Sequence, residues 1–312
     1  MSEVPRAVAD ATVEGRVIAS FGRRYTVEPE GGAPLDCVSR GKRLDAACGD
    51  LVRVTPLGAA EGVIESIVPR ASLLYRSVAH KQKLIAANVN QVVLVTAPVP
   101  AIDTELLDRC LVAAESQGIG IVLVLNKTDL PEIDAARERL APYRTLGYPL
   151  LELSATNDVK PLAPLLAGRV SVLVGQSGMG KSTLLNGVLP DAQARTAEVS
   201  VALAAGRHTT THTRWYKLDA ARGGGAIVDS PGLQEFGLHH LEPADIAAAY
   251  VEFRPFLGQC RFSNCQHLHE PGCAVVDAVE RGDIAYPRYA SYDALMAEFA
   301  RAPPKYEQGK RR

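Results

Sequence analysis

The chain has 312 residues, with 34 Lys and Arg against 35 Asp and Glu, for a formal net charge of −1. Hydrophobic residues make up 47% and charged residues 22%, a balance that excludes a disordered chain and suits two or three folded domains. The near-zero charge excludes nucleic-acid binding through global charge, so any basic surface must be local.

The opening segment, MSEVPRAVADATVEG, has no apolar stretch of the signal-peptide kind. Nowhere does an apolar run approach the ~18 residues of a membrane span. The expectation is a cytoplasmic chain with no membrane partner. Residues 1–68 hold about five short stretches rich in Val, Ile and Tyr, such as GRVIASFGRRYTVEP, GDLVRVTP and EGVIESIVP, broken by Gly and Pro. They predict a small OB-like β-barrel, with another small β domain as the alternative. From Ser66 to Ile102 no acidic residue occurs. Within this stretch, residues 69–83 carry Arg70, Arg76, His80, Lys81 and Lys83 and are expected to be a basic linker.

From residue 88 the texture changes. QVVLVTAP, GIGIVLVLN, LLELSA and RVSVLVG are continuous apolar runs with helical stretches between them. Such runs predict a parallel sheet buried on both faces, hence an α/β domain over residues 69–240. DTELLDRCLVAAESQG is the predicted helix between the first two strands, with Gly118 as its stop. Residues 241–312 are predicted to be helical around a Cys/His cluster, with a disordered tail.

The phosphate-binding motif is GQSGMGKS, which follows one strand and opens a helix. The residues expected to meet nucleotide are Gly175, Gln176, Ser177, Gly178, Met179, Gly180, Lys181, Ser182 and Thr183. Backbone N–H groups of such a loop surround a phosphate, Lys181 brings positive charge and the Ser182 hydroxyl suits Mg²⁺. NKTD, Asn126, Lys127, Thr128 and Asp129, sits at a predicted strand end and selects the base. The Asp129 carboxylate accepts from the guanine N1–H and N2 amine, which adenine does not offer. Asn126 ties this loop to the phosphate loop. SAT follows another strand, with Ser154 beside Ala155, whose N–H is expected to reach guanine O6. DSPG supplies Asp229 for Mg²⁺ and Gly232 for the γ-phosphate. In GRHTTTHT, Thr210 is the expected Mg²⁺ ligand, with Thr209 and Thr211 as neighbours. Cys260-x4-Cys265-x-His267-x5-Cys273 offers three thiolates and one imidazole, a closed structural zinc set, with His269 as the alternative fourth ligand. Cofactors expected are therefore one structural Zn²⁺ per chain and Mg²⁺ with GTP.

The order of motifs is the informative feature. A Ras-like chain runs phosphate loop, threonine loop, DxxG, NKxD, SA. Here NKTD and SAT lie 49 and 21 residues before Gly175 (175−126 and 175−154). The chain resembles the circularly permuted GTPases, and in particular the ribosome-small-subunit-dependent GTPase A (RsgA) family. NKTD, GQSGMGKSTLLN, GRHTTTH, DSPGLQEFGL and CRFSNCQHLHEPGC carry the resemblance. It implies a slow GTPase stimulated by the small ribosomal subunit and acting late in that subunit's maturation. It further implies an OB domain on ribosomal RNA and a C-terminal zinc domain, and its spacing favours His267 over His269. The alternative is an RNA-binding assembly factor that uses GTP as a structural ligand. Leu233 stands where Ras-like enzymes place a water-orienting Gln. His208, at the family's catalytic histidine position, is the expected substitute, with His212 as its neighbour. Catalysis is expected from His208, Lys181 and Thr210, in a monomer. Subunit contact is expected from Arg23, Arg24, Arg70, Arg76, Lys81 and Lys83.

Overall fold

The computed structural model describes residues 12–41, 44–78, 81–189, 213–220, 223–229, 238 and 241–301. His208, Thr210 and Gly232 lie outside the described residues, as do Thr209, Thr211, His212, Leu233 and His80.

The first five strands are β1 (Val13–Phe21), β2 (Arg24–Pro29), β3 (Leu35–Ser39), β4 (Leu51–Pro56) and β5 (Glu61–Ile67). They pair in the order β1-β2-β3-β5-β4, and β4 returns to β1, so the sheet closes on itself. Closure removes the free edges that a small sheet would otherwise expose. Alternation then fills the interior with Val17, Tyr25, Val27, Leu35, Cys37, Val52, Val54 and Ile64. The stretch expected as a linker is more regular than the sequence suggested. β6 (Leu73–Val78) and β7 (Lys81–Ala87) form an antiparallel hairpin in which Arg76 and Lys83 are register partners.

The α/β part of the same 11-stranded sheet, joined to the barrel where β12 pairs with β1, contains β8 (Gln91–Thr96), β9 (Gly120–Leu125), β10 (Leu150–Glu152), β11 (Val170–Val174), β12 (Thr213–Lys217) and β13 (Ala226–Asp229). Its order is β10-β9-β8-β11-β13-β12, parallel except for β12. Continuous apolar strands serve two cores at once. Val92, Leu94, Ile121, Leu123, Val172 and Val174 face one side. Val93, Val95, Val122, Val124 and Leu173 face the other.

Helices cover both faces. α1 (Thr104–Glu115) begins where the Asp103 carboxylate accepts from the Leu106 N–H at 3.0 Å, an N-cap. It packs on the first side with α2 (Ile133–Arg144), through Leu107, Leu111 and Leu140. α3 (Ala163–Leu166) and α4 (Lys181–Val188) pack on the second, through Leu166, Leu184 and Leu185.

After β13 the chain forms α5 (Pro243–Ala249), a 3-10 turn (Val251–Phe256), α6 (Ala274–Arg281) and α7 (Tyr286–Arg301). These elements do not build a separate core. Ile246, Tyr250, Phe253, Val275, Tyr292 and Leu295 belong to the same cluster as α1 and the first face of the sheet. Arg288, 1% exposed, lies at the junction. It donates to Asp108 of α1 and, at 2.7 Å, to Glu252. Burial alone would lower the guanidinium's pKa, but the two carboxylates outweigh it and raise it.

Candidate functional site

NKTD, SAT, the phosphate loop and Asp229 lie at the carboxyl ends of β9, β10, β11 and β13, where ligands bind in open α/β sheets. Asn126, at the end of β9, is 1% exposed and joins three of them. Its Nδ2 donates to the Met179 carbonyl of the phosphate loop at 2.9 Å. Its Oδ1 accepts from the Ala155 N–H of the SAT loop at 2.9 Å. The approach is tight enough to dictate Gly180, whose φ is +93°. A Cβ there would fall 2.3 Å from Asn126 Nδ2. The Ala155 N–H, expected to face the base, is thus engaged within the protein in this structure.

Asp129 lies at the surface, where the Ser154 hydroxyl donates to it and holds its pKa below the ordinary range. Ser154 Oγ is in turn 2.9 Å from Thr156 Oγ1. Thr156 was not anticipated from the sequence, since a threonine after SA has no local signature. Lys127 adopts φ +59°, and its Nζ donates to the Val99 carbonyl at 2.7 Å. The Thr128 N–H donates to Leu153 O at 3.3 Å, which ties this loop to β10's end.

Gly175 through Gly180 lead from β11 into α4, which starts at Lys181. Lys181 Nζ is folded onto its own loop and donates to the carbonyls of Gly175 and Gln176 at 2.6 and 2.7 Å. Burial lowers its pKa. Gln176 Oε1 accepts from the Asp103 N–H at 3.3 Å. Ser177, Gly178, Ser182 and Thr183 are exposed on the open side of the loop. The Met179 side chain is 1% exposed, in the core beneath the loop, so only its backbone borders the loop's open side.

Asp229 ends β13 and is 8% exposed. Burial pushes its pKa up to about 6, against the opposing charges of Lys181 and Arg214. A buried carboxylate that carries such a penalty beside Lys181 is a hard oxygen donor suited to Mg²⁺. Lys181 and Asp229 therefore stand together, while the expected Thr210, Gly232 and His208 lie outside the described residues.

At the other end of the chain Cys260, Cys265, His267 and Cys273 bring one donor atom each within 4.8 Å of one another. His267 Nδ1 is 3.4 Å from Cys260 Sγ and 3.5 Å from Cys273 Sγ, and those two sulfurs are 3.9 Å apart. His269 is exposed and outside this group. Burial lowers the His267 pKa, which favours the neutral imidazole a metal requires. It raises the Cys265 thiol to about 12. Three sulfurs and one imidazole converging in this way are a donor set that fits a metal ion. Glu270 shapes the loop by accepting from the N–H groups of Gln266, Leu268 and His269 at 2.7, 2.9 and 3.2 Å. Partial burial would raise its pKa, but these bonds hold it at about 2.

The basic residues divide. Arg70 is a structural group, because its guanidinium donates to both oxygens of the fully buried Asp50 at 2.7 Å. Arg23 is exposed, and Arg24, also exposed, lies 3.6 Å from Asp36. Arg76, Lys81 and Lys83 are on the β6–β7 strands.

Comparison with known proteins matches residues 67–239 to the RsgA GTPase family. The small ribosomal subunit biogenesis GTPase RsgA of Nitrosomonas europaea is 49% identical over 310 residues, covering 98% of each chain. The crystal structure of YjeQ from Thermotoga maritima is similar with a TM-score of 0.71 and 32% identity, covering 94% of this chain and 100% of that one. YloQ, described as a circularly permuted GTPase, gives 0.68 and 28%, covering 96% and 99%.

Proposed function

The chain belongs to the RsgA GTPase family, and from that premise we propose that it hydrolyses Mg²⁺-GTP on the small ribosomal subunit and so assists a late step in the subunit's maturation. The observation that carries the nucleotide half of this reading is the Asn126 junction. One buried amide links the guanine loop, the SAT loop and the phosphate loop, so motifs in permuted order still form one site.

Each residue has a task in this reading. Asp129, oriented by Ser154, selects guanine. Lys181 exchanges the Gly175 and Gln176 carbonyls for phosphate oxygens. Ser182, Thr210 and Asp229 hold Mg²⁺, which would supply charge neutralisation at the phosphates. Gly232 meets the γ-phosphate, and His208 orients the attacking water in the absence of a Gln at Leu233. The Cys₃His cluster holds zinc: a tetrahedral ion with Zn–S near 2.3 Å spaces its sulfurs by about 3.8 Å, close to the 3.9 Å between Cys260 and Cys273. This closed set serves structure. The protein works as a cytoplasmic monomer. Arg23, Arg24 and the β6–β7 residues Arg76, Lys81 and Lys83 meet ribosomal RNA, and Arg70 supports the barrel that carries the first two.

Phosphate release from GTP, measured with and without purified small subunits, tests the proposal. Turnover should rise at least tenfold with subunits present, within the span of ordinary allosteric coupling. Subunit binding that leaves the release rate unchanged would instead favour an assembly factor that uses GTP as a structural ligand.

A further inference from the structure

The barrel and the GTPase sheet meet along β12. Ala19 and Ser20 of β1 pair with Arg214 and Thr213. Across β12, Arg214 is the ladder partner of Asp229. One transverse row therefore runs from the barrel to the residue assigned to Mg²⁺. This row lies at the start of β12, and the strand begins three residues after Thr210 in sequence (213−210).

Two paired residues are a slender joint, and side chains reinforce it on both faces of β12. On one face the Arg16 guanidinium lies 4.6 Å from the centre of the Trp215 ring, within cation–π range. Two residues along that face Lys217 pairs with Glu28 at 2.5 Å. Glu28 is also the cross-strand partner of Arg16. On the other face Arg214 lies 6.0 Å from the centre of the Phe21 ring.

Arg16 is itself held. Its Nη1 donates to the Gly49 carbonyl at 2.9 Å, and the Asn88 amide shares that carbonyl at 3.1 Å. Gly49 has φ +95°, and a Cβ there would fall 2.1 Å from the Ala87 carbonyl and 3.2 Å from the Trp215 ring. A barrel strand, a barrel loop, the end of the hairpin and the edge of the GTPase sheet thus converge on one indole.

We propose that Arg16 is a positioning residue that carries the state of the barrel, through Trp215 and β12, to the Asp229 end of the nucleotide site. An edge strand shared by two domains couples them directly, because moving the barrel must shift β12 or break the clamp. The inference rests on the proposed function, in which the barrel meets the subunit and Asp229 serves Mg²⁺-GTP.

The test uses Arg16→Ala and Arg16→Lys in the full chain. The sequence contains one tryptophan, so selective excitation reports Trp215 alone. The parent's emission should differ between GDP and a non-hydrolysable GTP analogue, and Arg16→Ala should abolish the difference. With saturating small subunits the stimulated kcat of Arg16→Ala should fall about tenfold, in the range of ordinary coupling energies. The KM for subunits and the unstimulated turnover should stay within about twofold of the parent. Arg16→Lys keeps a cation over the ring and should recover most of the loss. Glu28→Gln, on the half-buried flank of the clamp, should shift kcat in the same direction by less, and it spares the packing around the ring. A parental stimulated kcat in Arg16→Ala would overturn the proposal. So would a defect confined to KM, which would make Arg16 part of the contact surface, or a parent emission that ignores the nucleotide. A parent that subunits fail to stimulate would sink the proposed function, while the emission measurement would still decide for or against Arg16.

Discussion

At the scale of single residues, the proposed nucleotide site includes two carboxylates in opposite environments. Asp129 is exposed and held ionised by Ser154. Asp129→Asn replaces a double acceptor by an amide, so guanine loses at least one hydrogen bond and meets an unmatched donor. GTP affinity in an equilibrium titration should drop on the order of a hundredfold, and discrimination against xanthosine triphosphate should reverse. Asp229 is buried, with its pKa pushed up to about 6. The sign follows from that direction. A folded-state value above the ordinary one means that the ligand-free protein gains stability as pH falls through about 6. Mg²⁺ affinity runs the other way, since a protonated carboxyl is a poor ligand. The Mg²⁺-dependent slowing of GDP release should fade below pH 6, and Asp229→Asn should remove both the slowing and its pH dependence. If the slowing in the parent is flat from pH 5 to 7.5, Asp229 is not the Mg²⁺ residue.

At the scale of elements, the cysteine loop shows how an irregular segment becomes specific. His267 holds φ +59°, an uncommon conformation for a non-glycine residue. The surroundings fix it: Glu270 collects three N–H groups, and the hydroxyls of Tyr289 and Tyr292 donate to the carbonyls of Leu268 and Gln266, each at 2.6 Å. Glu270→Gln keeps one acceptor oxygen and loses the charge. Release of zinc to a colorimetric chelator should become at least several-fold faster, while GTP binding stays unchanged. A single metal analysis of the parent should find about one zinc per chain, and Cys265→Ser should lose most of it. Full retention in Cys265→Ser would refute the ligand set. The sheet order itself was implicit in the permutation. Cutting a chain elsewhere leaves each strand's neighbours unchanged, so β10-β9-β8-β11-β13-β12 still presents NKTD, SAT and the phosphate loop at one edge.

At the scale of the molecule, the C-terminal segment is bound to the GTPase domain by a shared core and by a buried charge cluster. Arg288 meets Asp108 and Glu252 with almost no exposure. Removing one member leaves uncompensated buried charge, which costs about 3–5 kcal/mol. Arg288→Met should therefore lower stability in denaturant titrations by that order, and adding Asp108→Asn should recover part of it. An unchanged midpoint in Arg288→Met would mean that the cluster is not stabilising the junction. The sequence by itself determined the family: NKTD, GQSGMGKS and the Cys₃His spacing are local patterns legible without the fold, because they form at turns where strands and helices end. It also determined the parallel sheet, because strands buried on both faces must be apolar throughout. Only the tertiary structure decided which residues join those parts. Arg70 reads as one more surface cation until Asp50 is found beneath it, 20 residues away in sequence. Arg288 and Asp108 lie 180 residues apart, and Arg16 meets Trp215 only because the barrel docks on β12. Such contacts leave no local trace, since a charged side chain on a helix or strand looks the same whether it faces water or a distant partner.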